Sequence, residues 1–257
     1  MPKEQVSLFE IFGPVMIGPS SSHTAGVARI AFLTRKMFGS APQKALVRFY
    51  GSLAATWKGH GSGDAVSAGL LGIPPEDERL FQGQRLLSAL QAAGKGFPVL
   101  IEAVPVLPPS WHPNSLILEL FGESSGGAAA QELMAGQSPR PQHLVIRASS
   151  IGGGSIRLDE INGYQVELSG ELEAILVSHH DEIGVIAEVS RLLAAGHINI
   201  AATSSHRKEK GDEALLVVET DGPIPPSVVK GIQGLPPIYQ VIQVPALEGS
   251  GLTREAL

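Results

Sequence analysis

Residues 171–244, ELEAILVSHHDEIGVIAEVSRLLAAGHINIAATSSHRKEKGDEALLVVETDGPIPPSVVKGIQGLPPIYQVIQV, carry the pattern that decides the fold. Glu171–Ser178 is a short apolar run of strand length. After Asp181, the residues Val185, Ile186, Val189, Leu192 and Leu193 recur at i, i+1, i+4, i+7 and i+8, which is one face of a helix. Asp181 suits the N-cap or first turn of that helix, and Gly196 stands where a left-handed stop is wanted. Two β-suited runs, INIAATSSH and ALLVVET, flank the charged turn RKEKGDE and read as a hairpin. Pro225 and Pro226 suit a helix start, and IYQVIQV reads as a last strand. The order β-α-β-β-α-β is that of a ferredoxin-like domain.

Upstream the chain is mixed, so the expected fold class is α+β with two units, 1–165 and 170–247, and a loose tail at 248–257. TAGVARIAFLTRKMFG reads as a helix with Val27, Ile30, Ala31 and Phe38 on one face, Arg35 and Lys36 in its last turn and Gly39 at its stop. ALVRFYGSL, FPVLIEAVPV, SLILELF and HLVIRAS read as strands, DAVSAGLLG as a short helix and IRLDEINGYQVEL as a hairpin. Gly122–Gln142 reads as a long loop with a helical turn at AAAQELM.

Composition narrows the function. Nineteen Lys+Arg against 25 Asp+Glu give a net charge of −6, without the basic cluster that nucleic acid or an anionic membrane attracts. No apolar run is long enough to span a bilayer and the first residues lack a signal-peptide pattern, so a cytoplasmic protein is expected. With no cysteine, the chain makes no disulfide, thiolate nucleophile or conventional iron–sulfur site of its own. No HxxxH or HExxH pair occurs, so no metal ligands are expected here.

Two local motifs carry the most chemistry. GPSSSHTAG, Gly18–Gly26, opens a helix: free N–H groups, three hydroxyls and an imidazole form a cradle for a carboxylate or phosphate. A plain helix cap with His23 at the surface uses the same residues. In KGHGSGD, Lys58–Asp64, glycines flank His60 and leave its imidazole uncrowded for acid–base work, or simply turned to water. His112-Pro113-Asn114 is a rigid turn with two polar side chains. SIGGGSI, Ser150–Ile156, lacks the GxGxxG spacing and a following helix, which disfavours dinucleotide binding. GESSG puts Ser124 at a hydrolase-like position, but the sequel does not suit a nucleophile elbow.

IGPSSSHTAG, KGHG, HPN and SIGGG, in that order and followed by HHDEIGVIAEVSRLLAAGHINIAAT, resemble the β chain of the bacterial iron–sulfur L-serine dehydratases over nearly the whole chain. The small unit resembles an ACT domain, and the larger one the allosteric substrate-binding domain of some phosphoglycerate dehydrogenases. The resemblance implies deamination of L-serine to pyruvate and ammonia. It also implies a [4Fe-4S] cluster held by the cysteines of a partner α chain, which accounts for the absence of cysteine here.

Carried over by position, it implies His60, His23 and Ser62 as catalytic residues, and Ser20, Ser21, Ser22, Thr24, His112 and Asn114 as substrate-binding residues. His179, Asp181 and Asn199 fall where related ACT domains bind an effector, and such domains often pair into homodimers. Two departures stand out: Ser62-Gly63 replaces the family's Thr-Asp after KGHG, and Glu182-Ile183-Gly184 replaces Arg-Pro-Gly. The other reading is a non-catalytic amino-acid-binding regulator acting through the ACT domain. GPSSSHT and KGHG, which a sensor does not need, separate the two.

Overall fold

The computed structural model describes residues 20–122, 143–207 and 209–247. The expected loop and Ser124, the start of the chain with Gly18, and the tail after Leu247 lie outside these residues. The first sheet has six strands: β1 Lys44–Tyr50, β2 Val99–Val104, β3 Ser115–Phe121, β4 His143–Gly152, β5 Ser155–Ile161 and β6 Tyr164–Leu168. Their order is β2-β1-β3-β4-β5-β6, parallel only between β1 and β2. Among the described residues, four α-helices accompany the sheet: α1 Gly26–Phe38, α2 Gly51–Thr56, α3 Ser62–Leu70 and α4 Gly83–Ala92.

Val27, Ile30, Leu33 and Phe38 of α1 pack on Val47 and Phe49 of β1, Leu118 of β3 and Ile146 of β4, all fully buried. Gly39, at φ 78°, stops α1 as expected by donating to Arg35 and Lys36 carbonyls. At Gly69 of α3 a Cβ would lie 2.7 Å from the Ala28 carbonyl, so glycine is what lets α1 and α3 cross in contact. The opposite face of the sheet is polar: Arg48 bridges Glu102 and Glu119, and Arg147 pairs with Glu160 across the strands. Asn162 and Gly163, both at positive φ, turn β5 into β6 as the Asn-Gly pair requires. Gly152–Gly154, also at positive φ, form the β4–β5 tip, so the SIGGG segment is a hairpin turn.

The second sheet contains β7 Glu173–His180, β8 Ile200–Arg207, β9 Glu213–Thr220 and β10 Ile238–Val244, with α5 Val185–Ala195 and α6 Pro226–Gln233. Its order is β10-β7-β9-β8, fully antiparallel, which is the ferredoxin-like topology read from the sequence. Ile175, Val177, Leu216 and Val218 face the helices and meet Val189, Leu193, Val229 and Ile232. Ala174, Leu176, Leu215, Val217, Ile242 and Val244 belong to the core of the first sheet. A sheet covered on both sides explains why EAILV and ALLVV are unbroken apolar runs rather than alternating ones. β6 ends at Leu168 and β7 begins at Glu173.

Two local expectations are corrected. Asp181 does not cap α5: the cap position is Gly184 at φ 99°, and Asp181 instead accepts from the Gly211 N–H and from Arg207, both at 3.0 Å. Those two donors hold its carboxyl below the usual range, the Gly211 bond contributing most. Gly196 is not left-handed; its φ is −82°, and His197 takes φ 57°. Glycine serves there because a Cβ would come within 2.6 Å of Val228, so α5 and α6 approach through it. α4 escaped the sequence reading, because only Gly83 and Leu87 of its ten residues are buried and its apolar stripe is thin.

A cleft of about 380 Å³ separates β6 from the open side of β8 and β9, lined by Gln165, Glu167, Thr203, Ser204, His206 and Glu219. Burial pushes the Glu219 carboxyl up. A raised folded-state pKa penalises the folded protein once pH exceeds that value, and the penalty vanishes below the unfolded carboxyl's value near ~4.3. Glu219→Gln is therefore expected to raise the melting temperature at neutral pH and to leave it unchanged at about pH 3. A variant that melts lower at neutral pH would show the carboxylate to be favourably placed instead.

Candidate active site

The chain before α1 forms a π-helical turn, Ser21–Ala25, capped by Ser20, whose hydroxyl accepts from the His23 N–H at 3.2 Å. Thr24 N–H returns to the Ser20 carbonyl. The N–H groups of Ser21 and Ser22 precede the first helical hydrogen bond, and their hydroxyls make no hydrogen bond among the described residues. In this half-buried turn the free N–H groups and hydroxyls lie side by side, a geometry able to accept an anion.

α2 begins directly at the end of β1, where Gly51 turns the chain at φ 53°. A loop after α2 then brings His60 back onto the π-turn, and two reciprocal bonds join the segments. Thr24 Oγ1 donates to the His60 carbonyl at 2.8 Å, and Ser62 Oγ donates to the His23 carbonyl at 2.7 Å. Ser62, expected as catalytic, is fully buried, and its hydroxyl is bonded to the His23 carbonyl.

His23 and His60 face each other with Nδ1 to Nδ1 at 2.8 Å and ring planes 21° apart, so one hydrogen lies between them. Their neighbours decide which ring carries it. Asn114 Nδ2 donates to the Ser150 carbonyl at 3.3 Å, which turns Asn114 Oδ1 toward His23 Nε2, 3.2 Å away. Ser52 Oγ donates to the same Oδ1 and lies 3.1 Å from His23 Nε2. With acceptors on that side, His23 bears its hydrogen on Nε2 and accepts at Nδ1. His60 therefore donates from Nδ1, and its Nε2 keeps a free lone pair, the feature a general base needs. Thr56 Oγ1 completes the wall 3.4 Å from His23 Nδ1 while donating to the Ser52 carbonyl.

The structure thus gathers Ser20, Ser21, Ser22, His23, Thr24, His60 and Asn114. Ser52 and Thr56 were missed, although their i, i+4 spacing in GSLAAT, beside a strand end and KGHG, places two hydroxyls on one helix face. His112 is displaced from the pair: its Nδ1 accepts from the Asn114 N–H at 3.1 Å, and its ring lines a neighbouring pocket of about 520 Å³ with Trp111, Arg147 and Arg157.

The three ACT-domain residues do not converge. Ile200 and Glu173 both pair with Thr220, whereas His180 pairs with Glu213 at the other end of the sheet. Asn199 and the His179–Asp181 turn are therefore about 24 Å apart, one strand length, because α5 carries the chain back before β8 begins. Asn199 bonds Asp221 at 2.5 Å, and His179 Nδ1 donates to the His180 carbonyl at 2.6 Å. Among the described residues no three His, Asp or Glu side chains form a metal-binding group, and no helix is long and apolar enough to cross a membrane.

The family model described as serine dehydratase beta chain matches residues 7–97, and the ACT domain model matches residues 174–236. The probable L-serine dehydratase beta chain of Bacillus subtilis is 39% identical over 239 residues, covering 93% of this chain and 97% of that one. The L-serine dehydratase beta chain of Peptoniphilus asaccharolyticus is 33% identical, covering 89% and 93%. A D-3-phosphoglycerate dehydrogenase of Bacillus subtilis matches 33% of this chain at 35% identity, and 16% of its own length. With nearly full-length relatives and a serine–histidine cradle built from the matched segment, the chain belongs to the serine dehydratase β-chain family.

Proposed function

We propose that this chain is the β subunit of an L-serine dehydratase whose [4Fe-4S] cluster is carried by a partner α chain. The observation that carries the reading is the directed His23–His60 pair beside the Ser20–Ser22 turn. Having no thiolate, and no metal-binding group among the described residues, the chain does not fit the cluster as a ligand set. Its own residues perform the acid–base work.

The N–H groups and hydroxyls of Ser21 and Ser22 receive the serine carboxylate. His60 Nε2 takes the α-proton; the C–H electron pair becomes the Cα=Cβ bond and the Cβ–O bond breaks, releasing hydroxide. The resulting enamine tautomerises to an imine, and water converts that to pyruvate and ammonia. Once protonated at Nε2, His60 is an imidazolium still donating from Nδ1 to His23. Asn114 and Ser52 hold His23 as the acceptor, so the new positive charge is met by an oriented lone pair.

Incubating L-serine anaerobically with this chain and a serine dehydratase α chain should yield pyruvate and ammonia in equal amounts. Complete recovery of serine, bound but unchanged, would favour a sensing role for the ACT domain instead.

A further inference from the structure

Behind the HPN turn runs a buried polar chain that the steps above leave unused. Asp159 on β5 is buried, and its carboxylate accepts from Arg157 Nε at 2.6 Å and from Ser149 Oγ at 2.5 Å, with Arg147 Nη1 at 3.6 Å. Ser149 Oγ lies 3.0 Å from Ser115 Oγ, which reaches the His112 carbonyl at 2.7 Å. Both serines are fully buried. Asn114, between His112 and Ser115, is gripped from two sides. Its N–H donates to His112 Nδ1, its carbonyl accepts from the Ser150 N–H at 3.1 Å, and its amide donates to the Ser150 carbonyl.

The hydrogens in this chain give it a direction. Paired with Arg157, the Asp159 carboxylate offers only lone pairs, so Ser149 must donate to it. Ser149 then presents lone pairs to Ser115, whose single hydrogen is shared between Ser149 Oγ at 3.0 Å and the His112 carbonyl at 2.7 Å. Asp159, Ser149 and Ser115 are buried, where such a network holds its neighbours rigidly if its members are satisfied. Ser149 and Ser150 are adjacent on β4, so the strand feeds the chain with one residue and holds the Asn114 amide with the next.

We propose that Asp159 is a positioning residue. Through Ser149, Ser115 and the His112 carbonyl it fixes the turn that aims Asn114 Oδ1 at His23, and so decides which nitrogen of His23 carries the hydrogen. The kinetic readout of this idea rests on the serine-deaminating reading; the structural readout does not.

Two measurements test it. In the reconstituted holoenzyme Ser149→Ala is expected to lower kcat about tenfold with KM unchanged, as small misplacements at a site do, and Ser149→Thr is expected to restore it. Combining Ser149→Ala with Asp159→Asn should be no worse than the worse single variant, because both cut one chain. Multiplicative losses, or wild-type kcat in Ser149→Ala, overturn the proposal. In the full chain alone, imidazole nitrogen NMR is expected to show His23 protonated at Nε2 and His60 at Nδ1, and a mixture of forms in Ser149→Ala. If the wild-type pair has no turnover, the catalytic reading fails and this spectrum decides: an unchanged tautomer in Ser149→Ala overturns the positioning role. Should Ser149→Ala not fold, Ser115→Ala carries the same expectations.

Discussion

His60→Ala is expected to lower serine turnover by the reconstituted pair about 10³-fold while leaving assembly and KM intact, the scale on which a positioned acid–base group acts. The fold has little reason to notice. The bond that ties this segment to the π-turn uses the His60 backbone carbonyl, not the ring, and Ser62 is tied separately to the His23 carbonyl. What disappears is the Nδ1–H that meets His23 and the free Nε2 that would take the proton. Added imidazole should recover part of the rate, since the deletion leaves a ring-sized space. Turnover within a few-fold of wild type would remove His60 from the mechanism and leave it a merely structural residue.

Gly51→Ala is expected to damage both stability and rate. At φ 53° an alanine is strained by about 1 kcal/mol, and its Cβ would lie 2.3 Å from the Pro113 carbonyl oxygen. That oxygen accepts from the Ser52 N–H at 2.8 Å, so relief of the clash must push the HPN turn away from α2. Overpacking of this kind adds about 1–3 kcal/mol, for a total of roughly 3 kcal/mol and a melting temperature lower by roughly 6–12 °C. Asn114 moves with the turn, and kcat should fall by about 10². Gly72→Ala is the control. Gly72 has φ 80° but open space around its Cβ position, so only the strain of about 1 kcal/mol should appear. Equal losses in the two variants would show that the contact with Pro113 does not matter.

The second sheet was legible because each element stated itself locally: a helical face from Val185 to Leu193, a charged hairpin turn, a proline pair at a helix start. Its errors were at the joints. Asp181 is a good capping residue by type, yet the hairpin reaches it first. Gly196 is a good left-handed residue by type, yet packing against Val228 is what requires it. Such choices depend on neighbours distant in the chain.

The site divided in the same way. Ser20 to Thr24 and His60 were visible as motifs, because glycines and hydroxyls beside an imidazole are informative within nine residues. Their meeting was not visible, since it depends on β1 ending where α2 starts and on the loop from α2 to α3 folding back. Ser52 lacked a motif, and its role exists only beside Asn114, 62 positions away. Ser62 was named through the resemblance, as the hydroxyl kept after KGHG, and the opening of α3 turns it inward.

The central claim is that this chain supplies a metal-free wall of a two-chain active site. It is tested most directly by purifying the two chains separately without oxygen, measuring iron, acid-labile sulfide and serine-dependent pyruvate formation in each, and repeating the measurements after mixing. The account predicts iron and sulfide in the α chain, none in this one, and turnover only in the mixture. Iron and sulfide retained by this chain, or full activity from it alone, would contradict it.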